Sequence, residues 1–442
     1  MKQGDDAMEQ KNRQVDEVEF AATIGIDWAD KKHDVCLLAA GARESEHTVI
    51  QQTPDSLADW ISGLRQRFNG RKVAICLEQS KGSLIYALMN CDFIVLYPIN
   101  PVTLARYREA FMPSGAKDDP VDAKLLLELI THHREKLKVW KPDTQLTRSI
   151  TLLSEASRKA VDLQTSLSNQ LKALLKSYFP QALELTGHKL STALACHFLL
   201  KWPTFQSVQR ARKKTVEKFY YSHNSRSSEK IQHRLSIIEN SVPLTTDQAI
   251  VETSAITVKM LAIQLLNLIQ AIKEYDKKLN ELFSQHPDAD IFTSLPGAGD
   301  VLAPRLLAAF GTDRDRFHSA EAMQNYSGIA PVTERSGQTE WIHRRWKRPI
   351  FIHQSFFEFA NKSIASSDWA RAYYIKQRNK GKDHNEVVRS LAFKWIRIIY
   401  SCWKQRVTYN ETLYISKLRE RGSDIIRFMD FGAIESPVGN VV

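Results

Sequence analysis

Short apolar runs separated by polar turns occupy the first third of the 442-residue chain. ATIGIDW (22–28), HDVCLLAA (33–40) and EHTVIQQ (46–52) are rich in β-branched residues and predict three successive strands. Pro54 to Phe68 then places Leu57, Trp60, Ile61 and Leu64 at helical spacing. KVAICLE (72–78) predicts a buried strand, GSLIYALMN (82–90) a helix and DFIVLYP (92–98) a fifth strand. A helix from about Pro101 to Ala110 leads into the loop FMPSGAKDDP. The order βββαβαβ allows a three-stranded meander joined by two strands that arrive through helical crossovers. A mixed five-stranded sheet is the expected result.

From Asp143 to Tyr178 the period lengthens. Leu146, Ile150, Leu153, Ala160, Leu167, Leu171, Leu174 and Tyr178 fill a 3.5-residue seam that Ser157 and Gln164 interrupt, and Pro180 stops the helix. A second seam, Val258, Leu261, Leu265, Leu268, Ile272, Tyr275, Leu279 and Leu282, runs without a gap. Such heptads predict a coiled coil, formed either by these two helices on each other or between protomers; a hairpin packed on the chain's own core is the plainer solution. Between them, residues 201–236 carry nine Lys/Arg against Glu217 and Glu229, including Arg212, Lys213 and Lys214, with Trp202, Phe205, Phe219, Tyr220 and Tyr221 interleaved. A solvated charged face is the ordinary meaning of such a run, but this density with aromatics also suits phosphate contacts and base stacking. Past His286, SLPGAGDVLAPRLLAAFG (294–311) predicts a glycine-hinged turn opening a helix, SAEAMQNYSGIAPV (319–332) another helix and turn, and 333–349 a loop. Helices follow to about Tyr409.

The boundaries that follow are a tail (1–20), a sheet domain (21–142), a helical region (143–286) with a basic insertion at about 185–250, a mostly α C-terminal domain (287–420) and a second tail (421–442). A net charge of +11 favours polyanionic partners, nucleic acid or an acidic membrane surface. Five cysteines without a C-x-x-C pair argue against structural zinc and a disulfide framework and suit a reducing cytoplasm. The charged N-terminus is not a signal peptide, and no apolar run of the ~18 residues needed to cross a membrane is expected.

Four acids stand where this outline makes them interesting. Asp27 ends the first strand, Glu78 ends the fourth, and Asp119 and Asp122, three apart on one helix face, open the helix of GAKDDPVDAKLL. Strands one and four as sheet neighbours would set Asp27 beside Glu78. Gathered carboxylates repel unless cations neutralise them, and hard oxygen donors suit Mg2+ or Mn2+, which can clamp the attacking and leaving oxygens of a phosphodiester. The same residues also suit plain structural duties. Asp119 before Pro120 is a good helix cap, Asp122 complements the helix dipole, and Asp27 can simply end a strand.

This spacing of acids resembles the RNase H-like nuclease fold in its RuvC-type form, with a D…E…D..D tetrad. GIDWADKKHDVCL, LEQSKGS, the Lys117–Leu126 pattern around Asp119 and Asp122, NQLKALLKSYFP, and LPGAG…YSGIAPV…RSGQT…HRRWKRP together resemble the DEDD transposases of the insertion-sequence-110 family, in order over roughly residues 22–400. The chain departs at Asp118, where Thr or Asn is commoner, and at Gln338, where a second Gly is common.

The resemblance implies an α/β RuvC-like sheet domain followed by helical and mostly α regions. It also implies a DNA transposase or recombinase that cuts and rejoins strands at element ends and target. Mg2+ or Mn2+ on Asp27, Glu78, Asp119 and Asp122 is implied, with Ser336 as nucleophile through a phosphoserine–DNA link. From residues alone, Ser336–Gly337 reads as a turn; a hydroxyl attacking phosphorus would need cations such as the Arg-rich loop offers. A guiding bridge RNA completes what the resemblance implies. The coiled coil and the long spacer before Ser336, which would let the serine of one subunit meet the acids of another, lead to an expected homodimer or homotetramer, in a bacterial cytosol at the nucleoid and with no membrane. The residues expected on nucleic acid are Lys117, Arg212, Lys213, Lys214, Gly297, Gly299, Arg335, Arg344, Arg345, Lys347 and Arg348. The glycines of LPGAG would bring backbone N–H groups to a phosphate, or simply make an αα turn. Two other readings stand beside it: a RuvC-like metal-dependent nuclease, such as a junction resolvase, that hydrolyses with water, and a nucleic-acid-binding scaffold without catalysis.

Overall fold

β1 (Ala22–Trp28), β2 (Lys32–Ala39) and β3 (Glu46–Gln51) form an antiparallel meander, and the chain returns through α1 (Pro54–Arg67) to lay β4 (Val73–Leu77) parallel to β1. α2 (Ser83–Leu88) then delivers β5 (Ile94–Pro98) parallel to β4, giving the mixed sheet β3-β2-β1-β4-β5. This computed structural model describes residues 19–78, 81–111, 119–337 and 339–429, and of Asp119 the backbone alone. The first unit continues through α3 (Pro101–Phe111) and α4 (Asp119–His132) and ends at Pro142, where a second begins. It is an α/β unit, as the strand order of the sequence implies.

At the centre of the sheet the two faces differ in side-chain size. Ile24, Ile26, Val35, Leu37, Val73, Ile75 and Leu77 form one core with Leu57 and Leu64 of α1 and Leu84, Ile85 and Leu88 of α2. On the other face Cys36, Ala74 and Cys76 meet Ala123, Leu126, Leu127 and Ile130 of α4. Gly25 lies on that face, in register with both Cys36 and Cys76. A Cβ on Gly25 would fall 2.1 Å from the Ala123 carbonyl oxygen and 2.4 Å from the Leu127 nitrogen. Helix backbone therefore occupies the space a side chain would take.

In the second unit α5 (Gln145–Tyr178) leads into α6 (Ala182–Thr186), α7 (Ala193–Lys201), α8 (Phe205–Gln209), α9 (Lys213–Ser222) and α10 (Ser228–Asn240), and α11 (Gln248–Phe283) returns along α5. Thr144 caps α5 and Asp247 caps α11 through their side-chain oxygens. The predicted seams face each other within one chain. Ile150, Leu171 and Tyr178 on α5 are buried, as are Val258, Leu261, Leu265 and Leu279 on α11. Ser157 breaks the apolar seam because its hydroxyl donates to Asp276 Oδ1 at 3.0 Å.

At one end of the pair the insertion helices build a core around Phe179, Phe198, Phe205 and Tyr220. At the other end α12 (Ala289–Thr293), α13 (Gly299–Phe310), α14 (Ala320–Tyr326), α15 (Ile350–Ser366), α16 (Asp368–Asn379), α17 (His384–Gln405) and α18 (Glu411–Glu420) enclose Trp369, Trp395 and Trp403. Each indole N–H finds an acceptor: Tyr409 Oη at 2.9 Å, Ser363 Oγ at 2.8 Å and the Gly311 carbonyl at 2.8 Å.

Three expectations change. The stretch 333–349, a loop by its sequence, holds nearly all of an antiparallel hairpin, β6 (Val332–Ser336) and β7 (Thr339–His343). The second tail is ordered at its start, because Asp424–Phe428 form a 3-10 turn and Ile425 is buried. α11 is long and apolar enough to cross a membrane by length and composition, contrary to the expectation that no run would be; in this fold its Val258–Leu265 face is buried in the insertion core.

Gly25→Ala tests the sheet–helix contact. The added methyl meets main chain that cannot rotate away, so a loss of about 2–4 kcal/mol in urea unfolding is expected. A loss below about 0.5 kcal/mol would show that α4 can withdraw freely.

Candidate active site

β1 and β4 run parallel with Ile26 opposite Leu77, so Asp27 and Glu78 follow side by side at the carboxyl ends of adjacent strands. α4 crosses the same sheet face with Asp122 one residue before Ala123, whose carbonyl abuts Gly25. Asp27, Glu78 and Asp122 thereby line one cavity of about 430 Å3 in the first unit, with Trp28, Ala29, Pro101, Ala105 and Arg108. Two structural consequences of the sheet thus bring together acids spread over nearly a hundred positions. Burial pushes the Cys76 thiol up to about 12, and the negative charge of Glu78 adds to that rise.

The donor chemistry fits a hard divalent cation, since the three acids supply carboxylate oxygens only. Among the described residues no group of three His, Cys, Asp or Glu stands close enough to share one ion. Positive charge is supplied here by Arg108 instead. Its Nε donates to Asp122 Oδ1 at 2.8 Å and a terminal nitrogen donates to the same oxygen at 2.5 Å. Asp122 is buried, so without a cation its charge would be costly. The side chain of Asp119 and all of Lys117 lie outside the described residues.

Arg108 was not singled out from sequence, although Pro101, Ala105 and Arg108 share a helix face at i, i+4 and i+7. Asp34 stands opposite Asp27 in register but does not line the cavity; its Oδ1 accepts from His47 Nε2 of β3 at 2.9 Å.

Ser336 belongs to the second unit. It is the last residue of β6, exposed, and pairs with Thr339 next to a turn at Gly337; Gln338 lies outside the described residues. Gly337 has φ +59°, the left-handed conformation such turns favour. Ionic contacts link the strands: Arg335 donates to Glu340 at 3.2 Å and His343 Nε2 to Glu334 at 3.0 Å. Both His343 nitrogens meet acceptors, Glu334 and the Arg344 carbonyl, which raises its pKa above the usual histidine range. Arg344 and Lys347 are exposed, whereas Arg345 donates to Asn325 and Arg348 to the Arg345 carbonyl.

Gly297, at φ +82°, packs where a Cβ would lie 3.2 Å from the backbone of Lys362, while Gly299 opens α13 with nothing near its Cβ position. Ser327 and Ser294 keep structural roles: both hydroxyls donate to main-chain carbonyls, and Ser294 also accepts from Tyr409 N–H. Arg212 and Lys214 line a second cavity, and Lys213 pairs with Glu239 at 3.5 Å. Base stacking is closed to Trp202, Phe205, Phe219 and Tyr220, which are buried; Tyr221 alone of the five interleaved aromatics is exposed.

Residues 24–180 match a DEDD family model of the IS110 group described as a transposase, and residues 289–375 match a model described as the Transposase IS116/IS110/IS902 family. The first match holds all four acids and the second holds Ser336. The chain belongs to the IS110 family of transposases. A Streptomyces coelicolor protein named for the mini-circle transposase of IS117 is 29% identical over 88% of this chain and 95% of its own. The 44.8 kDa protein of insertion element IS116 from Streptomyces clavuligerus is 25% identical over 87% and 94%. The transposase for insertion sequence element IS1111A of Coxiella burnetii is 28% identical over 33% and 41%.

Two outcomes test the site of this transposase. Arg108→Ala should cost about 3 kcal/mol in urea unfolding at pH 7, because it strands the Asp122 charge, and Arg108→Ala/Asp122→Asn should recover part of it. Equal stability of wild type and Arg108→Ala would refute the pairing. On α15, burial and the cations of Arg348 and Arg389 lower the His353 pKa to about 4, with Nδ1 donating to the Ser327 carbonyl. The unfolded chain binds this proton below about 6.5 while the folded chain refuses it until about 4. The stability it contributes is complete above pH 6.5 and falls as pH drops through that window. His353→Gln should therefore lose about 1–2 kcal/mol less than wild type between pH 6.5 and 5; parallel curves would remove His353 as the cause.

Proposed function

We propose that the chain cuts DNA strands at the ends of an insertion element and at its target and rejoins them, with Ser336 as nucleophile and the acids of the first unit as the catalytic cluster. The observation that carries this reading is the single cavity shared by Asp27, Glu78 and Asp122, within the stretch that matches the DEDD model. The strand order β3-β2-β1-β4-β5, with acids at the ends of β1 and β4 and on the helix across them, supports the RNase H-like, RuvC-type assignment. Asp27, Glu78, Asp119 and Asp122 would hold Mg2+ or Mn2+. When bound, the metal supplies charge that offsets the growing charge on phosphate oxygens.

The chain's own residues then define the exchange. Ser336 Oγ attacks phosphorus, a P–Oγ bond forms and one phosphorus–deoxyribose oxygen bond breaks. The serine proton leaves to a base, and the departing oxygen ends as a strand-end hydroxyl. A second strand-end hydroxyl attacks the phosphoserine, restores the serine and seals a new junction, so the phosphodiester count is unchanged. Arg344 and Lys347, exposed next to the hairpin, are the side chains placed to meet the phosphate charge. The same reading includes a bridge RNA that selects sites by base pairing, and an oligomer in which protomers act together.

A nicked suicide substrate with Mg2+ tests the chemistry. Wild type should yield a covalent protein–DNA adduct that Ser336→Ala abolishes, while Asp27→Asn and Asp122→Asn lower cleavage about a thousandfold or more. Strand joining by Ser336→Ala would refute the nucleophile, and cleavage with free ends but no adduct would instead support hydrolysis by a RuvC-like nuclease.

A further inference from the structure

The second cavity, of about 760 Å3, opens between α7 and α9 in the insertion. Lys201, Arg212, Lys214 and Lys218 line it with His197 and His223, and no carboxylate does. All four Lys/Arg side chains are exposed, and among the described residues none of them is paired with an acid. Like charges held together on two helices raise each other's energy, a cost that a bound polyanion removes. α9 also starts at this wall without a side-chain cap on its first turn, so the positive end of its dipole adds to the field.

Lys201 sits 4.7 Å over the Trp202 ring and 5.7 Å over Phe219. Those rings are buried and hold a cation in place rather than receiving a base. Small-molecule sites are mostly apolar, and of these walls only Phe219 is. The residues belong to neither stretch that matches a family model, 24–180 or 289–375.

We propose that this cavity docks the phosphodiester backbone of a polynucleotide, through phosphate contacts from Lys201, Arg212, Lys214 and Lys218. It uses none of the carboxylate cleft's residues, so an Asp27→Asn chain that no longer cuts still binds there.

The test uses the full chain and labelled single-stranded RNA, single-stranded DNA and duplex DNA of about 40 nucleotides or base pairs, several site sizes long. Lys201, Arg212, Lys214 and Lys218 are all changed to Gln. The control changes Lys176, Lys259, Lys273 and Lys277, exposed on α5 and α11, to Gln, with the same loss of charge. The cavity variant should weaken binding at least about tenfold on one polymer, and flatten the slope of log Kd against log salt by about 3 for a single strand, while the control changes Kd less than about threefold. The polymer with the larger loss is the ligand. Equal losses for the two variants, or none in any arm, would overturn the proposal. Lysine acylation of the wild-type chain gives a readout free of folding effects. The polymer should protect Lys201, Lys214 and Lys218 while Lys259 and Lys273 stay reactive, and unprotected cavity lysines would refute docking there.

Discussion

Everything distinctive about the first unit depends on an atom that is absent. Gly25 has no Cβ, and the space is filled by the main chain of α4 at Ala123 and Leu127. Cys36, Ala74 and Cys76 keep the central strands shallow around it, while the large Tyr97 lies farther out on β5. A helix that settles this low carries Asp122 down to the level at which β1 and β4 end. A side chain at position 25 would force the helix off this contact and lift Asp122 away from the strand ends. Packing geometry, rather than any attraction between carboxylates, assembles the site.

Electrostatics act in the opposite sense. Asp122 is buried beside two other acids, and the Arg108 guanidinium compensates it with two hydrogen bonds to one oxygen. Such a pair is costly to break from one side, because that leaves a buried charge uncompensated. The arginine marks the oxygen at which positive charge is held.

Much of this was legible in the sequence because the hydrophobic pattern changes where the fold changes. Short β-branched runs between polar turns mark β1–β3, a continuous apolar run marks β4, and a 3.5-residue seam marks α5 and α11, where Ile150, Leu171, Tyr178, Val258, Leu261, Leu265 and Leu279 are buried and the other seam residues half-buried. The hairpin β6–β7 escaped notice for the converse reason. TERSGQTEWIH has both faces in solvent, so no apolar alternation betrays the strands, and only the Gly337 tip signals a turn. Arg108 was invisible because an arginine on an amphipathic helix is ordinary until its partner's burial is known. The aromatics at 202–221 misled in another way: an interleaved basic and aromatic run describes both a stacking platform and an amphipathic helix pair, and burial of Trp202, Phe205, Phe219 and Tyr220 selects the second.

The paired helices α5 and α11 each extend about 50 Å at 1.5 Å per residue and carry a separate hydrophobic core at either tip. A strut of this kind uncouples the histories of its two ends. Replacement, enlargement or deletion of the segment between residues 179 and 247 changes the far tip and leaves the tryptophan-rich core undisturbed, because no side chain of that segment belongs to it. The helix pair is thus a mounting on which a lineage can exchange attachments while it retains the core from which the β6–β7 strands project.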